Sequence, residues 1–120
     1  MRPFVINGEA WGVTRVSAGD PRLIDWTGTE RVATADPSSR TVYVNDMLVP
    51  PLLDQVMLHE VAHAIVSSWG MRGSGTEWSN IDEWGAQLVE GHSIEAINAA
   101  SEALGRPVCV NGLCCECRPE

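Results

Sequence analysis

Leu58-His59-Glu60-Val61-Ala62-His63-Ala64-Ile65 is an H-E-x-x-H segment set inside an apolar run, and it constrains this chain more than any other stretch. Residues four apart share one face of an α-helix, so His59 and His63 can address a single metal ion if the run is helical. Glu60 then stands beside that ion, where a metal-activated water needs a base. Two of the three histidines are spent on this spacing. Without a metal, an apolar helix would have three adjacent polar groups to satisfy, and burying such groups unpaired is costly. The spacing therefore predicts a catalytic-type zinc ion held by His59 and His63.

The flanking residues fit that helix. Pro50-Pro51 suits a first turn and Gly70 a stop, which predicts a helix from about Pro51 to Ser68. Leu52, Leu53, Val56, Met57, Leu58, Val61, Ala62, Ile65 and Val66 occupy nearly every side of it, the mark of a central helix. Gly70 to Ser79 reads as a glycine-rich loop. A second helix is expected from about Asn80 to Leu104, ended by Gly105 and Pro107. Ala86, Val89, Ile97, Ala100 and Leu104 form its apolar stripe.

Residues 1 to 46 read as β-rich. Phe4-Val5-Ile6 and Ala10 to Val16 flank Asn7-Gly8, a favoured two-residue hairpin turn. Arg31 to Ala35 and Arg40 to Asn45 bracket Asp36-Pro37-Ser38-Ser39, which has turn composition. Leu23 to Trp26 is equally compatible with a short strand and with one helical turn. The expected fold class is α+β, a small sheet from the N-terminal part with a central H-E-x-x-H helix and a second, C-terminal helix. At 120 residues the chain is long enough for one domain, placed at 1–107, followed by a cysteine-rich tail at 108–120.

Charge and hydropathy exclude several classes. A net charge of −8 with no basic run argues against a nucleic-acid partner. No window approaches the ~20 apolar residues of a membrane span, and the first residues carry no signal-peptide core. The expected location is cytoplasmic, the host cytoplasm if the chain is phage-encoded. The four cysteines, Cys109, Cys114, Cys115 and Cys117, are then expected as thiols or metal ligands. A second, structural zinc on those four is conceivable, but their spacing is not a standard zinc pattern, so thiols in a loose tail are the preferred reading.

A catalytic zinc site needs a third protein ligand. Metzincin spacing would put a histidine at position 69, which is Trp69, and Val66 stands where that pattern has glycine. Gly75-Thr76-Glu77-Trp78-Ser79 lacks the aspartate of an aspzincin. A gluzincin takes a glutamate from a following helix. Glu83 lies twenty residues after His63 and borders the apolar stripe of the second helix, whereas His92 falls on the opposite face. Glu77 and Asp82 are the alternatives. Asn80-Ile81-Asp82-Glu83 also reads as a capping box, in which Glu83 would only cap the helix.

His59-Glu60-Val61-Ala62-His63 together with Glu83-Trp84-Gly85-Ala86-Gln87 resembles the gluzincin-type metallopeptidases of the ImmA/IrrE kind and their small phage- and prophage-encoded relatives. That family pairs H-E-x-x-H with a downstream E-x-x-A-N segment; Gln87 stands at the asparagine. The resemblance covers mainly residues 52–90 and implies a small twisted zincin-like sheet packed on the H-E-x-x-H helix, with His59, His63 and Glu83 as zinc ligands and Glu60 as the base. It implies peptide-bond hydrolysis on a protein or peptide substrate bound in extended form. In related zincins an edge strand before the motif helix receives that substrate, and Arg40 to Asn45 is expected in this place. Tyr43 and Arg72 are candidates for stabilising the oxyanion. The alternative to an enzyme is a catalytically silent zincin-like binding or regulatory module, or a phage structural component.

Overall fold

The computed structural model describes residues 1–25, 27–68, 86, 94–110 and 113–114. Four strands form one mixed sheet: β1 (Phe4–Ile6), β2 (Glu9–Val16), β3 (Ala33–Asp36) and β4 (Thr41–Asn45). Two helices follow, α1 (Leu52–Ser68) and α2 (Ile94–Leu104). A small hairpin of β5 (Cys109–Val110) and β6 (Leu113–Cys114) closes the chain. The α+β class read from the sequence is the one observed, and the boundaries of α1 agree with the expected ones to within one residue.

Asn7 and Gly8 have φ of 49° and 78°. Two successive positive φ values are what a tight hairpin turn demands, and Asn-Gly meets that demand at least steric cost. β1 and β2 accordingly pair antiparallel, with Phe4 opposite Trp11. Those two side chains are buried and their rings stack at a centroid distance of 6.1 Å.

The sheet order is β1-β2-β4-β3. After β2 the chain passes over the position next to it, forms β3 at the outer edge, and turns back. β4 then enters between them, parallel to β2 and antiparallel to β3. The expectation that Arg40 to Asn45 forms an edge strand is thus corrected. Both sides of β4 are hydrogen-bonded within the sheet, and the edges belong to β1 and β3. Side-chain alternation reads out which face a residue takes, but not its lateral place, so a half-buried interior strand and an edge strand look alike in sequence.

Period-two alternation assigns the faces. Val42 and Val44 of β4, Ala33 of β3, Phe4 and Ile6 of β1 and Trp11 of β2 join the core formed with α1 and α2. The opposite face carries Tyr43 and Thr34, which are register partners, and a 3-10 turn at Pro21–Leu23 covers it. Leu23 is fully buried there, the Thr34 hydroxyl donates to the Arg22 carbonyl at 2.7 Å, and the Arg22 guanidinium lies 5.0 Å from the Tyr43 ring centre. Of the stretch Leu23 to Trp26, Leu23 ends the 3-10 turn, Ile24 is extended and makes an isolated antiparallel bridge with Glu30, and Trp26 lies outside the described residues.

Asp20 and Asp25 order this layer. Asp20 caps the turn, accepting from the Arg22 amide and side chain, and the Arg22 guanidinium holds its carboxyl down at about 2. Asp25 accepts from the Thr27 hydroxyl and amide, from Arg31 and from the Thr29 amide. The Thr27 hydroxyl first, then Arg31, holds its carboxyl well below the ordinary range.

Helix α1 buries Leu53, Met57, Leu58, Glu60, Val61, Ala62, Ala64, Ile65 and Val66, as expected for a central helix. The Pro50-Pro51 peptide that precedes it is cis. Of the expected second helix, Ile94–Leu104 is observed and Ala86 is helical and buried, while its start near Asn80 lies outside the described residues. Ile97 and Ala100 of the expected stripe are fully buried, joined by Ala96, Ala99 and Ala103.

The end of α2 is set by the expected glycine and tied down by further groups with no short-range sequence signature. Gly105, at φ 74°, donates its amide to the Ser101 carbonyl and ends the helix. The buried Ser101 hydroxyl donates to the Ile97 carbonyl and accepts from the Val108 amide at 3.0 Å. Arg106 pairs with Asp54 at the start of α1. Val108 is buried, and β6 packs against α2.

Candidate metal centre

Helix α1 has one side that the core leaves accessible. Leu52 and Gln55 are exposed, and Val56, His59 and His63 are half-buried, at the i, i+3, i+4 spacing of one helical stripe. The two imidazoles thus stand where a ligand can approach from outside, while Glu60, one position further round, is buried at 7% exposure. The apolar run around the motif does this: it commits every other side of the helix to the core.

The two histidines converge. Their Nε2 atoms are 3.1 Å apart, and the rings meet edge to face with an interplanar angle of 89°. One ligand atom from each of His59, Glu60 and His63 falls within 4.8 Å of the others. Among the described residues, this is the group of histidine, cysteine and acidic side chains gathered closely enough to hold an ion. None of the three is without a partner.

The donor set can be tested against zinc. Two nitrogens each ~2.05 Å from a tetrahedral ion lie about 3.3 Å apart. The observed 3.1 Å is within a few tenths of an ångström of that separation. The same contact is a hydrogen bond between the two rings, one Nε2 donating to the other, and it holds the pair at the separation a shared ion would need. His59 and His63 therefore fit the ion.

The remaining expected site residues divide as follows. Glu83, with Glu77, Asp82, His92 and Arg72, lies outside the described residues, as do Trp26, Trp69, Trp78 and Trp84. Trp11 is a core residue. Tyr43 is placed on the sheet face covered by the 3-10 turn, with Val42 and Val44 on either side of it pointing to the helices. The sheet thus separates its hydroxyl from α1, which removes it as an oxyanion donor. Cys109 is disulfide-bonded, contrary to the expectation of thiols, so its sulfur is unavailable to a four-thiolate zinc site in this state.

An open groove of about 330 Å³ lies at the far end of α1, lined by Glu9, Trp11, Pro37, Ser38, Arg40, Ser67 and Ser68. It includes no member of the histidine pair, and Arg40 is paired there with Glu9. No helix among the described residues is long and apolar enough to cross a membrane.

No family model matches this chain, and comparison with curated proteins and with solved structures likewise gives no match.

Proposed function

We propose that this protein is a zinc-dependent metallo-endopeptidase of the gluzincin type, similar to the ImmA/IrrE kind. The observation that carries the reading is the 3.1 Å approach of His59 Nε2 to His63 Nε2 beside the buried carboxylate of Glu60. His59 and His63 supply two ligands, and Glu83 is proposed as the third. These residues would hold a zinc ion, which would supply a Lewis acid able to lower the pKa of a water toward about 7 and to polarise the scissile carbonyl.

The chain's own residues do the rest. Glu60 lies one residue from His59 on a rigid, buried helix, so its carboxylate is held within reach of the point where the imidazole nitrogens meet. It takes a proton from the attacking water and returns it to the departing amine. Burial raises the energetic weight of that carboxylate's charge and keeps bulk water from competing for its proton. The substrate is proposed to bind as an extended peptide. β3, which has β4 on one side and no second strand neighbour among the described residues, is the edge that fits strand addition.

The test is the Glu60→Gln variant. It should bind zinc like the wild type, because Glu60 is the base and not a ligand, and lose peptide cleavage by ~10²-fold or more. Retained cleavage in that variant, or the absence of stoichiometric zinc from wild-type protein purified without chelators, would refute the reading.

A further inference from the structure

We infer that the C-terminal hairpin is a thiol-responsive site: a cross-strand Cys109–Cys114 disulfide that opens to a small-molecule thiol and releases β6 from α2. The inference is independent of the metal centre.

Cys109 is disulfide-bonded. In the antiparallel register of β5 and β6 its direct partner is Cys114, with Val110 opposite Leu113. Directly opposed antiparallel residues have Cα atoms about 4.5–5.5 Å apart, inside the ~4.4–6.8 Å window that a disulfide accepts. The register therefore selects Cys114 over the other cysteines as the partner of Cys109. The two residues between the strands, Asn111 and Gly112, are the pair most favoured for such a turn.

Three features make the bond responsive rather than inert. Cys109 is exposed, so a thiolate can reach its sulfur. The chain holds four cysteines, all in this segment, so one bond leaves two more one and three residues beyond Cys114. Finally, each strand is only two residues long, and such a hairpin is marginal in water without a cross-link. Upstream the anchorage is different in kind, because buried Val108 and the Arg106–Asp54 pair do not depend on sulfur. Opening the bond should free β6 while leaving the end of α2 in place.

The reaction balances with two equivalents of thiol. A thiolate attacks the Cys109 sulfur, the S–S bond breaks, and Cys114 departs as a thiolate that takes up a proton. A second thiol displaces the first from Cys109. Two thiols become one small-molecule disulfide, and Cys109 and Cys114 become thiols.

The experiment uses the full chain, with thiols trapped by N-ethylmaleimide and counted by mass. Wild type isolated in air should carry two labels, and the Cys115→Ser/Cys117→Ser variant none. Excess reduced glutathione should add two labels to each. On reduction, amide exchange at Leu113 should accelerate while exchange in α1 is unchanged. Two labels on the unreduced double variant would overturn the pairing. A bond that survives excess glutathione, or unchanged exchange at Leu113 after reduction, would overturn the response.

Discussion

His59 and His63 illustrate how one residue position decides chemistry here. Their nitrogens meet because α1 brings residues four apart onto one stripe, and that stripe is the single side of the helix the core does not use. Tyr43 shows the opposite case. Its phenol is a reasonable oxyanion donor from sequence, yet strand alternation sends it through the sheet to the 3-10 turn. Tyr43→Phe should therefore leave kcat for peptide cleavage within about twofold of wild type; a ~10²-fold loss, the usual consequence of deleting an oxyanion donor, would contradict that placement. Asp25 carries a pH signature. Its folded-state pKa is depressed by Thr27 and Arg31, so its stabilising contribution is complete above the unfolded value of about 3.9 and is lost as the pH falls through the folded value. Acid titration should loosen residues 20–31 only below about pH 4. Asp25→Asn should remove that acid-linked component while lowering stability at neutral pH, as followed by denaturant midpoints across the pH range.

At the scale of elements, the parts written in local chemistry were legible. Asn7-Gly8 announced the first hairpin, the all-round apolar run announced α1, and the Asp36-Pro37 turn announced β3 and β4. The lateral order of the strands was not, because β2 and β4 pair through residues as distant as Gly12 and Thr41. The docking of the α2 terminus was hidden for the same reason: Ser101 serves Val108, and Arg106 reaches Asp54, through contacts that no periodicity encodes. The proposed third ligand, Glu83, rests on spacing and resemblance alone, since it lies outside the described residues. Ser101→Ala would leave the Val108 amide without its acceptor in a buried position. Such an orphaned donor costs ~1–3 kcal/mol, so the urea midpoint should fall while the slope of the transition stays constant.

For the whole molecule, the proposed metal centre lies on the helix at the middle of the fold, so on that reading ligand binding and stability are linked. An ion that binds the folded chain and not the unfolded one adds about 2.7 kcal/mol when its concentration is a hundredfold above Kd. For a domain of this size that corresponds to a melting temperature higher by ~10 °C. Removing zinc with a chelator should lower Tm by that order, and adding zinc back should restore it. In His63→Ala the chelator should have no effect, because one of the two imidazoles needed for binding is gone.

The late insertion of β4 has a consequence in time. A growing chain that ends near residue 40 already possesses β1, β2 and β3, yet the slot between the second and third strands is still empty. β3 joins the sheet only through β4, whose pairing with β2 links residues as distant as Gly12 and Thr41, and β4 carries α1 directly behind it. Non-local pairings of this kind are slow to form. The helix that carries the imidazole pair docks on the sheet behind β4, so on the proposed reading full-affinity metal capture should trail sheet closure when the chain refolds.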